Sequence, residues 1–122
     1  TSRKDFLRYD ADRKRDIRLS GKEGVDKVLK EYELDALLFV GSRGSRFLAK
    51  AGYPSIIVPF GFVDNISGNL DDYPNDFIKK PTPIGITFSG TECSEPSLIG
   101  MAYAFEKASM RRVTPRLDSY ER

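Results

Sequence analysis

The sequence predicts an α/β fold, and three runs carry that expectation. Asp35 to Gly41, Ser55 to Gly61 and Ile84 to Gly90 are apolar, of strand length, and closed by glycine-containing turns. Two flanking segments, after Ser20 and after Ser94, carry apolar residues at helical spacing. At 122 residues the chain is long enough for one domain with its own core.

Residues 1–19 are polar with a few apolar anchors, Phe6, Leu7, Tyr9, Ile17 and Leu19, and predict helix over part of their length. Ser20-Gly21-Lys22-Glu23 fits a capping box, with Ser20 accepting from the N3 amide and Glu23 reaching back. The helix it opens runs to about Glu31, with Val25, Val28, Leu29 and Tyr32 as one buried stripe. Leu34 to Val40 is too short for a core helix and almost free of polar interruption. It predicts a central strand covered on both faces.

Gly41 to Ser45 reads as a turn and Arg46 to Ala51 as a short helix closed by Gly52. Tyr53-Pro54 keeps the chain extended into a strand at Ser55 to Val58. Pro59 lacks a backbone donor, so the strand ends there or lies at an edge or bulge. Phe62 to Pro83 is punctuated by Asn, Gly and Pro. A connection of that length marks a lid, an insertion or a contact with another segment.

Ile84 to Ser89 is the third strand, with Ile84, Ile86 and Phe88 on one face. Ser94 or Glu95 caps the last helix and Pro96 suits its first turn. That helix continues to about Arg111, with Leu98, Met101, Ala102, Phe105, Ala108 and Ser109 sharing a face. The expected organisation is a charged arm or helix at 1–19, an α/β segment at 20–115 and a polar tail at 116–122.

Composition removes several classes of function. There is no histidine and one cysteine, so a usual tetrahedral zinc site cannot be filled. Lone Cys93 cannot form an internal disulfide, which favours a reducing, cytoplasmic setting. No apolar run is long enough to span a membrane. Net charge is +2, with Arg3, Lys4, Arg8, Arg13, Lys14, Arg15 and Arg18 clustered near the start. Four aspartates are interspersed among these bases and cancel much of their field, so a solvated helix is expected there rather than a nucleic-acid surface.

Candidate chemistry is sparse. Gly41-Ser42-Arg43-Gly44-Ser45 follows a strand and could bind a small group, with Ser42, Arg43 and Gly44 the candidate substrate-binding residues. It lacks the spacing of a phosphate loop or a dinucleotide turn, so no cofactor is implied. Asp64, Asp71, Asp72 and Asp76 lack the pattern of a calcium loop, and no metal is implied. Serines are plentiful, but an activating base is not evident: Lys50, Lys79 and Lys80 fall in surface-like positions. Cys93 precedes a helix without a histidine to activate it, and reads as inert or structural.

Three segments together resemble the C-terminal end of the amidase signature family. They are Leu34-Asp35-Ala36-Leu37-Leu38-Phe39-Val40-Gly41, Ala49-Lys50-Ala51-Gly52-Tyr53-Pro54-Ser55-Ile56-Ile57-Val58-Pro59-Phe60-Gly61, and Pro83-Ile84-Gly85-Ile86-Thr87-Phe88-Ser89-Gly90. Ser94-Glu95-Pro96 and the helix bearing Ala102-Tyr103-Ala104-Phe105-Glu106 complete the pattern. The resemblance implies the C-terminal part of an α/β/α amidase-like sandwich with a mixed sheet.

It also implies that the complete protein hydrolyses the carbon–nitrogen bond of a small linear amide through a Ser-cisSer-Lys set. No residue of this chain matches that set, so no catalytic residue is expected here. The implied partner is the missing N-terminal portion of the fold, or a separate chain that supplies it. Without that partner the chain is expected to be poorly soluble or oligomeric. The alternative is a free-standing α/β binding module or a non-catalytic interaction protein, using Ser42 to Ser45 and the Phe62 to Pro83 segment.

Overall fold

The computed structural model describes residues 3–64 and 81–114. Its first helices form one unbroken run. α1 (Arg3–Ser20) passes through a π-helical turn at Gly21–Val25 into α2 (Asp26–Glu31). Ser20 is itself helical and its side chain caps nothing, so the expected capping box does not form. Glu23 instead accepts from Arg18 at 2.6 Å. The wide turn brings backbone close to backbone: a Cβ at Gly24 would lie 2.5 Å from the Leu19 carbonyl oxygen. Of the expected stripe, Val25 and Leu29 are buried while Val28 and Tyr32 are exposed.

The strands are β1 (Leu37–Val40), β2 (Ser55–Val63) and β3 (Thr82–Ser89). They form an antiparallel sheet in the order β1-β3-β2. Leu37 and Ser55 both lie opposite Ser89, and Val40 and Val58 both lie opposite Ile86. β2 continues past Pro59 by means of a bulge between Pro59 and Gly61. Part of the segment read as irregular is therefore strand, with Phe62 opposite Pro83. Residues 65–80, which include Asp71, Asp72, Asp76, Lys79 and Lys80, lie outside the described residues. β1, expected to be central, stands at one edge of the three strands.

α3 (Ser45–Ala51) is closed by Gly52 at φ 76°, a left-handed conformation that glycine adopts without Cβ strain. α4 (Glu95–Ser109) carries Pro96 in its first turn, and Ser94 Oγ bonds the Thr91 carbonyl rather than capping the helix. It stops before Arg111 because Met110 turns left-handed, at φ 49°, with its N–H on the Glu106 carbonyl. Of its expected buried face, Leu98 and Ala102 are buried, Met101 and Phe105 are partly so, and Ala108 is exposed.

Two small cores result, on opposite faces of the sheet. On one face α4 packs Leu98 and Ala102 against Val58 and Phe88, with Ile56, Ile86 and Phe105 around them. Phe105 meets Phe88 edge-on at 5.8 Å and stacks on Phe60 at 6.3 Å. On the other face Val25, Leu29 and Leu48 close over Leu37, Phe39 and Tyr53. The cover is thus diagonal. Leu38 and Val40, on the α4 face of β1, remain 55% and 53% exposed, and Ile57, on the opposite face of β2, remains 54% exposed. No helix among the described residues is long and apolar enough to cross a membrane.

Candidate functional site

The turn after β1 is fixed from below. Gly41, at φ 62°, donates its N–H to the Gly85 carbonyl at 2.7 Å, and buried Thr87 Oγ1 donates to the Gly41 carbonyl at 2.6 Å. Ser45 donates both its amide, at 3.1 Å, and its hydroxyl, at 2.6 Å, to the Ser42 carbonyl. Gly44 is buried against the Phe39 ring, and any Cβ there would overlap the ring. The three candidate residues are therefore together but differ in kind. Ser42 and Arg43 are exposed, and their side chains have no partner among the described residues. Gly44 is the close-packed support beneath them.

A second cluster sits at the opposite end of β1. Tyr53 donates its hydroxyl to Asp26 Oδ2 at 2.7 Å, and Thr91 donates to Asp26 Oδ1 at 2.6 Å. One carboxylate thus ties α2, the entry to β2 and the exit from β3. The hydrogen bond to Asp26, burial and the Asp26 charge together push the Tyr53 hydroxyl up to about 12. It stays protonated at neutral pH, so the cluster is a brace and not an acid–base pair. Sequence reading missed it because its members are 27 and 65 residues apart. The one local trace is Gly21, where a Cβ would come within 2.9 Å of the Tyr53 oxygen.

The remaining candidates offer no catalytic pair among the described residues. Lys50 is engaged with Asp16 at 3.0 Å. No serine there hydrogen-bonds a lysine. Ser89 is fully buried and its hydroxyl has no partner. Cys93 is exposed, in a left-handed turn at φ 61°. Among the described residues no group of three acidic or thiol side chains is placed to hold a metal. On α1, Asp10 pairs with Lys14 and Asp12 with both Arg8 and Arg15, so three of the seven clustered bases are answered within their own helix, and Arg18 pairs with Glu23 just beyond it. A groove of about 480 Å³ between α1 and α3 is lined by Tyr9, Asp12, Arg13, Asp16, Ile17 and Lys50. Its Lys50 and Asp16 face each other rather than a free space.

No family model matches the chain. It is 39% identical over 95 residues to a probable amidase of Arabidopsis thaliana, an alignment covering 78% of this chain and 16% of that protein. The structure is similar to that of the native peptide amidase of Stenotrophomonas maltophilia, with a TM-score of 0.73 and 34% identity. That match takes in 90% of this chain and 22% of the other. A peptide amidase structure in complex with the competitive inhibitor chymostatin matches at a TM-score of 0.69 and 33% identity, over 89% of this chain and 22% of the other. The chain thus spans about a fifth of the length of these relatives. Sequence and structure together identify it as a partial match to the amidase signature family, of the peptide amidase type.

Proposed function

We propose that this chain is the C-terminal segment of an amidase-like hydrolase, which as a complete protein cleaves the carbon–nitrogen bond of a linear amide. In that protein the segment is scaffold and pocket border and contributes no catalytic residue of its own. The observation that carries this reading is the match of 90% of the segment to only 22% of a peptide amidase.

Ser42 and Arg43 border the substrate entrance, on a turn that Gly44, Thr87 and Gly85 keep rigid. A residue that only helps to hold substrate changes KM and leaves the chemical step alone. Arg43→Ala in the complete protein is therefore expected to raise KM for a peptide amide several-fold, with kcat within about two-fold. The 122-residue chain alone is expected to give no turnover. Turnover by the chain alone, abolished by changing one of its own side chains, would overturn the reading.

A further inference from the structure

The turn that carries Arg43 is anchored on both sides of that residue. Upstream, Gly41 donates its N–H to the Gly85 carbonyl at 2.7 Å and accepts from the buried Thr87 hydroxyl at 2.6 Å. Next to Arg43, the Ser42 carbonyl takes two hydrogen bonds from Ser45, and Gly44 lies against the Phe39 ring. The backbone beneath the guanidinium is therefore set, and the side chain alone is free to move. The sequence has no acid from Ala36 to Val63, and none from Thr82 to Thr91. β1, α3, β2 and β3 all lie within those two stretches. Of the three bases on them, Lys50 is answered by Asp16 of α1. Arg43 and Arg46 are exposed, and neither has an ionic or hydrogen-bonding partner among the described residues.

We infer that Arg43 makes the complete enzyme selective for acidic peptide amides, those with an aspartate or glutamate side chain near the amide that is cleaved. This deepens the reading of the Ser42–Arg43 turn as a border of the substrate entrance, and rests on it. A guanidinium offers a carboxylate two parallel N–H donors, and the pair is charge-assisted. A peptide amide lacks the terminal carboxylate of a free peptide, so its carboxylate is a side chain. A backbone already fixed lowers the ordering cost of such a contact. Arg46 adds a second unanswered positive charge to the same field. Thr87 is a positioning residue: it acts through Gly41 and fixes where the contact is made.

The test is steady-state kinetics of the complete protein on matched peptide amides. They differ by glutamate, glutamine or lysine at one position, placed in turn at the residues before the cleaved amide. At the position that meets Arg43, the glutamate substrate is expected to exceed glutamine in kcat/KM by about ten-fold or more, with lysine lowest and the difference in KM. Added salt should shrink that preference. Arg43→Gln should remove it, and Arg43→Glu should reverse it in favour of lysine. Thr87→Val should weaken the preference several-fold and Thr87→Ser should restore it. A ratio between substrates on one protein does not move with stability alone. Equal turnover of the three substrates at every position, or a glutamate preference that survives Arg43→Gln, overturns the inference and leaves the amidase reading standing. No turnover of any peptide amide overturns both.

Discussion

The Tyr53 hydroxyl donates to Asp26 Oδ2 at 2.7 Å and so fastens the entry of β2 to the first turn of α2. The fold favours the neutral phenol, whose pKa rises from 10.0 to about 12. An ionisation that is harder in the folded state stabilises the fold fully below pH 10, and that contribution is lost as pH rises from 10 through 12. Equilibrium denaturation across this range should show the decline. In Tyr53→Phe that part of the decline should vanish, and stability at neutral pH should fall by about 1 kcal/mol for the lost hydrogen bond. An identical alkaline profile in both proteins would show that Tyr53 is not the group responsible.

Leu98 is 1% exposed at the centre of the α4 core, and Leu48 is as deeply buried on the other face. Truncating either to alanine should cost about 2–5 kcal/mol in denaturant titrations, from lost transfer energy and the cavity left behind. Ile99→Ala, one residue along the same helix but exposed, should change stability by less than about 0.5 kcal/mol.

Ser89 buries a hydroxyl without a partner in the central strand. Ser89→Ala removes a desolvated polar atom and should be neutral or stabilising, by up to about 1 kcal/mol. A loss above about 1 kcal/mol would mean that the hydroxyl is satisfied in solution, for example by a bound water.

Met110 ends α4 at φ 49°, where a side chain is strained and glycine is not. Met110→Gly should raise the thermal midpoint, with a gain of about 1 kcal/mol. Gly44→Ala should do the opposite, because its new methyl group meets the Phe39 ring, at a cost of about 1–3 kcal/mol. If the Ser42–Arg43 turn borders the pocket, the same variant should raise KM as Arg43→Ala does.

Much of this architecture is legible in the sequence because local signals and tertiary demands agree. The apolar runs at Leu37–Val40 and Thr82–Ser89, the Gly52 stop and the Pro96 start are each decided within a few residues. The capping box at Ser20 fails because the π-helical turn at Gly21–Val25 carries the chain onward in helix. β2 outruns its expected end because a bulge accommodates Pro59. At the candidate site, the Gly-Ser-Arg-Gly turn was legible, but its latch was not. Thr87 reaches Gly41 across 46 residues, and nothing in either local sequence announces that contact. The Tyr53–Asp26–Thr91 brace was hidden for the same reason.

The diagonal placement of the helices has a consequence for how this segment comes apart. Among the described strands only β3 has a hydrogen-bonded neighbour on each side, so its amides should be the last to open. Unzipping should start at the margins and move inward, with β1 the first strand to let go.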